Sequence, residues 1–220
     1  MSTMPTFAAA SKALAESGRR FYDRGWVLGT SGNFSAVVSQ KPFTLAITPS
    51  GAHKGQLTGR EFLRIDDSGR MTPAPRTGAR AQGARSAAKP SAETLLHLLL
   101  VRSRGAGAIL HTHSVWSTIL SGRHAGAGGV AIEGYEMLKG LAGVTTHAHR
   151  EWIPIVANDQ DMTRLAGVVE RALGEHPTAH GFLLERHGLY TWGRTLAEAE
   201  RHIEILEFLF ETVGRSSGRQ

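Results

Sequence analysis

The chain has 220 residues, 41% of them hydrophobic and 20% charged, with a net charge of +6 and no cysteine. This balance fits one globular domain with a sizeable core, and the missing cysteines exclude a disulfide framework, a thiolate nucleophile and a thiolate metal ligand. No apolar run approaches the roughly 20 residues of a membrane helix, and Met1 to Ala15 lacks the basic-then-apolar order of a secretory signal, so no membrane partner and a cytoplasmic location are expected.

Phe7, Ala10, Leu14, Gly18 and Phe21 recur at helical spacing and predict a helix over Phe7–Arg24, stopped by Gly25. The next stretch, Gly29-Thr30-Ser31-Gly32-Asn33, is rich in backbone N–H groups and hydroxyls, and serves either as an ordinary turn or as a nest for a phosphate. Two strands, Phe34–Val38 and Phe43–Thr48, are predicted to pair as a hairpin around Lys41-Pro42. The second runs into Thr48-Pro49-Ser50-Gly51, with Lys54 just beyond, and a third strand is expected over Phe62–Ile65.

Between Arg70 and Lys89 lie five cations and no acid, set among Pro, Gly and Ala. This basic loop (70–89) holds most of the excess charge. It lacks the interleaved aromatics that stack on bases, so no nucleic acid is expected. A solvated loop beside a site for an anionic substrate is the simpler reading.

Ser91 predicts an N-cap for a helix from Ala92 to about Arg104, which places Glu93 in the first turn. A carboxylate there gains about 0.3–1 kcal/mol from the helix dipole, so Glu93 has a structural reason to be present. Leu95, Leu96, Leu98, Leu99, Leu100 and Val101 leave hardly a polar face, and the helix should be buried.

Gly105 then feeds an apolar strand that ends in His111-Thr112-His113-Ser114. On a strand, residues i and i+2 project from the same face, so His111 and His113 would stand side by side. Such a pair either grips a divalent metal or simply closes a strand. Ser114 predicts the N-cap of a helix over Val115–Ser121 that Gly122 would end.

Further on, Gly126–Gly129 reads as a link and Val130–Ile132 as a short strand, followed by Glu133-Gly134-Tyr135-Glu136. Trp152–Val156 is a predicted strand, and Asp161 a cap for an amphipathic helix over Met162–Leu173. A strand over Gly181–Glu185 leads to Arg186-His187-Gly188 and a partner strand over Leu189–Trp192. Thr195 and Glu198 form a capping box for a last helix with the seam Leu196, Ala199, Ile203, Leu206, Phe210 and Val213. The tail 214–220 should fray.

Of the 11 histidines, His147 and His149 repeat the i, i+2 spacing but lack a preceding apolar strand, and read as a loop or partner-contact feature. His187, at a His-Gly step ending an apolar strand, is the better third ligand. Three histidines with an open position form a catalytic rather than a structural metal site.

Five segments occur in order over nearly the whole chain: Gly29–Asn33, Ile47–Gly51, Pro90–Glu93, His111–His113 and Arg186–Gly188. Together they resemble the class II aldolase and adducin family. That resemblance implies an α/β fold of three layers over residues 1–220, with a central, mostly antiparallel sheet flanked by helices. It also implies one zinc ion per subunit on His111, His113 and His187, and a homotetramer with sites between subunits. A phosphorylated ketose would be the substrate, its phosphate held by Gly32, Asn33, Ser50, Gly51, Lys54 and Ser91. Ala92 departs from the aldolase members, which carry a second serine there.

Gly25-Trp26, Lys89–Thr94, Tyr135–Gly140 and Trp152-Ile153-Pro154 resemble the branch of the family that dehydrates a ketose 1-phosphate in methionine salvage. For that branch the resemblance implies Glu136 as the acid/base, while Glu93 matches the acid that the aldolases place at the metal. Glu136 is assigned the proton transfers here and Glu93 a supporting role. The alternatives are an aldolase or epimerase of the same superfamily, and a non-catalytic adducin-like interaction module.

Overall fold

The structure is a computed structural model that describes residues 4–73 and 88–216. Helix α1 (Phe7–Asp23) is followed by strands β1 (Asn33–Gln40), β2 (Phe43–Ile47) and β3 (Leu63–Ile65), then by α2 (Thr94–Arg104), β4 (Ala108–Thr112) and α3 (Val115–Arg123). The second half contains β5 (Gly129–Glu133), β6 (Arg150–Val156), α4 (Met162–Glu175), β7 (Gly181–Leu184), β8 (Gly188–Gly193) and α5 (Leu196–Ser216). All strands join one sheet in the order β3-β2-β1-β4-β8-β7-β6-β5. Every neighbouring pair is antiparallel except β6–β7.

Strand alternation sorts the side chains into two layers. Leu110, Leu183 and Leu189 pack with α1, α3 and α5 on one face of the sheet. Ile109, Phe182, Leu184 and Tyr190 pack with α2 and α4 on the other. The three-layer, mostly antiparallel α/β fold is therefore the one the family resemblance implies. Among the described residues no helix is long and apolar enough to cross a membrane.

Local signals act as their chemistry requires. Thr6 caps α1, Asp161 caps α4 by accepting from Thr163 N and Arg164 N, and Ser114 caps α3 by accepting from Ser117 N. Gly105 ends α2 in the left-handed region at φ 62°. The turn between β1 and β2 contains a cis Lys41–Pro42 bond.

Several helix boundaries differ from expectation. Helix α3 runs past Gly122 to Arg123, and a Cβ on Gly122 would lie 2.9 Å from Arg186 Cγ. That glycine makes room for the β7–β8 turn rather than ending a helix. Helix α2 begins at Thr94, not Ala92: Ser91 Oγ accepts from Glu93 N at 3.3 Å and Ser91 O from Thr94 N at 3.0 Å. Glu93 occupies the cap position and makes no side-chain cap bond, which frees its carboxylate to point elsewhere. At the other end of the chain α5 continues two residues past Gly214, to Ser216; residues 217–220 lie outside the described residues. So does most of the basic loop, including Arg76, Arg80 and Arg85. Its far end is described: Lys89 O accepts from Ser50 N at 2.9 Å, and Pro90 bridges Pro49.

Candidate active site

Strand directions gather the three sequence-selected histidines at one end of the sheet. His111 lies near the carboxyl end of β4, and β8 runs antiparallel to β4. The β7–β8 turn that carries His187 therefore sits at the same end. The ring nitrogens converge: His111 Nε2 is 2.8 Å from His113 Nε2 and 3.4 Å from His187 Nε2. His111 Nδ1 is 2.9 Å from Leu189 O, a carbonyl that can only accept, so the ring donates there and presents a bare Nε2 to the centre. His187 Nδ1 faces Asn158 Oδ1 at 3.4 Å.

Burial, reinforced by the neighbouring imidazoles, pushes His111 well below its ordinary pKa. Burial and the charges of His187 and Lys54 bring His113 down to about 3, and burial also lowers His187. The rings are thus neutral, the form that ligates metals. Imidazole nitrogens this close share a proton or a cation, and the three form a group that could hold a metal ion.

The turn around His187 is built for close approach. Arg186 adopts φ 52°, and its N–H donates to Ser121 Oγ at 2.9 Å. A Cβ on Gly188 would lie 2.0 Å from Thr112 O. Gly188→Ala must therefore push β8 from β4 and should destabilise the fold by about 3 kcal/mol. An unchanged urea midpoint would contradict this.

Glu93 Oε1 stands 3.6 Å from His187 Nε2 and 3.7 Å from His111 Nε2, and the side chain is 18% exposed. Beside it lies a cavity of about 180 Å³ lined by Thr30, Ser31, Gly32, Asn33, Pro49, Ser50, Gly51, Ser91, Glu93 and His113. Gly32 (φ 72°) and Gly51 (φ 70°) give the two loops their turns, and a Cβ on Gly32 would strike His111 O at 2.5 Å. Larger cavities, of about 480 and 490 Å³, lie at the opposite end of the sheet, away from the three histidines.

Lys54 reaches this region from beneath. Its buried Nζ donates to Thr30 O at 3.0 Å and Ala52 O at 2.7 Å, tying the two loops together. Burial lowers its pKa to about 8, against a raising effect from Glu93.

Glu136 lies elsewhere. Strand β6 is parallel to β7 and β5 antiparallel to β6, so β5 finishes at the end of the sheet opposite the histidines. The 3-10 turn Glu136–Gly140 follows there. The Glu136 side chain is 73% exposed, bonded to Lys139 at 2.7 Å and facing His147 at 3.8 Å. His149 is held by Glu151 at 2.8 Å, so the second i, i+2 pair is occupied by carboxylates.

Sequence reading missed several residues around this centre. His97 and Ser35 stand behind Glu93, and the Tyr190 ring stacks on His111 at 3.8 Å between centroids. His97 follows Glu93 by one helical turn, but a run of leucines hid it. Glu207 of α5 accepts from Thr112 Oγ1 at 2.6 Å, at the end of the strand that bears His111 and leads into His113. Burial raises its pKa to about 7 from 4.5, opposed by hydrogen bonds from Ser114 and Thr112. The folded chain thus keeps a proton that the unfolded chain has released, so this stabilising contribution is complete below pH 4.5 and lost as pH rises through 7. It amounts to roughly 3 kcal/mol. Glu207→Gln should flatten the stability profile between pH 4.5 and 8 by that amount in urea titrations, and an unaltered profile would refute the assignment.

The family model for the class II aldolase and adducin N-terminal domain matches residues 12–213. The chain belongs to this family. It is 43% identical over 213 residues to a methylthioribulose-1-phosphate dehydratase of Methylococcus capsulatus, covering 96% of each chain. It is 44% identical over 202 residues to one of Pseudomonas savastanoi pv. phaseolicola, covering 91% of this chain and 92% of that one. Among solved structures, an L-fuculose 1-phosphate aldolase superimposes with a TM-score of 0.75 at 19% identity, covering 99% of this chain and 90% of that one. At such identity this last likeness concerns the fold alone.

Proposed function

We propose that the chain is a zinc-dependent, cytoplasmic hydro-lyase. It dehydrates 5-methylthioribulose 1-phosphate to 5-methylthio-2,3-dioxopentyl phosphate in methionine salvage. The observation that carries this reading is the identity of 43% over 96% of both chains with a curated dehydratase. The histidine centre and its adjoining cavity supply fitting chemistry.

Three imidazole nitrogens from His111, His113 and His187 would hold the ion, which when bound supplies Lewis acidity to the substrate's carbonyl and hydroxyl oxygens. The loops at Gly32-Asn33 and Ser50-Gly51, with Ser91, would receive the phosphate, and Lys54 would keep those loops in register while adding positive charge beneath them. Holding the phosphate fixes the distance of C3 and C4 from the acid/base. Glu136 takes the proton from C3, and the electron pair moves to expel the C4 hydroxyl. The same carboxyl returns its proton to that hydroxyl, which departs as water. The remaining enol takes up a proton at C4 and becomes the C3 ketone. Glu93 supports the site beside His111 and His187.

Since Glu136 stands at the far end of its own sheet, it would enter from a neighbouring copy. A homotetramer with sites between subunits provides that arrangement. Exposed Leu28, Val115 and Ile119 near the histidine end, and Met137 next to Glu136, give both surfaces apolar area to bury. Sedimentation should show an assembly, and an active monomer would count decisively against it.

One observation favours a second reading. Glu93, the residue matching the aldolases' acid, is the carboxylate at the histidines, as an aldolase would need. Incubation of the zinc-loaded protein with 5-methylthioribulose 1-phosphate distinguishes the two. A diketone phosphate is the expected product, whereas dihydroxyacetone phosphate plus an aldehyde would make the protein an aldolase.

A further inference from the structure

Behind Glu93, three buried side chains are joined end to end. Asn33 Nδ2 donates to Glu93 Oε2, His97 Nε2 bonds Asn33 Oδ1, and Ser35 Oγ lies 2.7 Å from His97 Nδ1. One group fixes every role along this chain. An ionised carboxylate only accepts, so it takes the NH₂ end of Asn33 and leaves the amide oxygen facing His97. His97 must then donate from Nε2, and its bare Nδ1 accepts from the Ser35 hydroxyl.

His97 and Ser35 are 0% exposed and Asn33 is 3% exposed, so no solvent competes for these bonds. Burial also takes His97 down to about 3, which keeps its ring neutral. The other buried residues of α2 are Thr94, Leu96, Leu98 and Leu100, so a leucine at this position would serve simple apolar filling. What the imidazole adds is a directional N–H aimed at one amide oxygen.

We propose that His97, held by Ser35, is a positioning residue that locks the Asn33 amide so that its NH₂ group grips Glu93 and aims the carboxylate at His111 and His187. Without that lock the amide can flip and present its oxygen to the carboxylate, which repels it. The inference rests on reading Glu93 as a carboxylate of the active site. It holds for dehydration and aldol cleavage alike.

The test uses the full zinc-loaded chain with 5-methylthioribulose 1-phosphate, and L-fuculose 1-phosphate as a second substrate. His97→Leu should lower kcat by about 10–10²-fold with KM changed by less than about threefold, the signature of a misaimed group rather than lost binding. His97→Gln, whose amide can donate to the same oxygen, should recover most of the loss, and Ser35→Ala should show a weaker effect in the same direction. In a Glu93→Gln background, His97→Leu should add less than about twofold, because the two act as a unit. Nitrogen NMR of the ring should show the Nε2–H tautomer; the Nδ1–H tautomer would overturn the proposal. So would equal losses in the Leu and Gln variants, or full additivity with Glu93→Gln. If Glu93→Gln keeps normal kinetics, the reading of Glu93 fails and takes the proposal with it. If Glu93→Gln is impaired while His97→Leu and Ser35→Ala are not, the proposal alone fails.

Discussion

His111→Ala and His187→Ala should each strip the protein of its divalent metal and lower turnover by about 10³-fold or more. The estimate follows from the several kcal/mol that a Lewis-acidic ion contributes to the transition state. Both variants remove a nitrogen from a convergent set within 2.8–3.4 Å. His187 is the cleaner probe, because it is 20% exposed while His111 is fully buried and its removal also leaves a cavity. His147→Ala and His149→Ala should keep the metal. His147 is a mostly exposed side chain facing Glu136, and His149 is bonded to the buried Glu151, so His149→Ala should cost stability instead. Metal analysis after gel filtration decides the matter: metal retained by His187→Ala would remove this centre.

Glu136→Gln should cut turnover by about 10²–10⁴-fold while leaving metal content intact, as expected for loss of a general acid–base. The strand directions add a sharper expectation. If Glu136 serves the site of a neighbouring copy, co-assembly of Glu136→Gln subunits with His187→Ala subunits regenerates sites in which one copy gives intact histidines and the other an intact carboxylate. Two nearly inactive proteins should then recover roughly a quarter to a half of wild-type activity on mixing and reassembly, in line with the statistics of mixed interfaces. Absence of recovery, with mixed assemblies demonstrated by mass, would mean that Glu136 does not act across an interface. A crippled Glu93→Gln beside a nearly normal Glu136→Gln would transfer the proton chemistry to Glu93.

The elements themselves were legible because their signals are local. Periodicity marked α1 and α5, a hydroxyl or carboxylate at the cap position marked α3 and α4, and Gly105 marked the end of α2. The i, i+2 spacing of His111 and His113 also needs only local extended chain, and β4 ends at Thr112, just before His113. His187 could be matched with them because its His-Gly step closes an apolar run, and the structure shows why the glycine is there: Thr112 O occupies the space a Cβ would need.

What the sequence alone could not determine depends on where chain segments meet. Glu93 looked like a helix-start charge, but α2 begins one turn fraction later and its carboxylate turns to the histidines. Lys54 looked like a direct phosphate ligand, yet it is buried beneath two loops whose carbonyls it ties. His97 was invisible among leucines, because its partners Asn33 and Ser35 are more than 60 residues away in sequence. Glu136 stood near Glu93 in the sequence reading as a rival for one task, and the antiparallel run of β5 carries it to the other end of the sheet. Spacing along a chain fixes which side chains share a face of one element. Which faces and ends then come together is set by the order and direction of strands, and only the folded sheet contains that information.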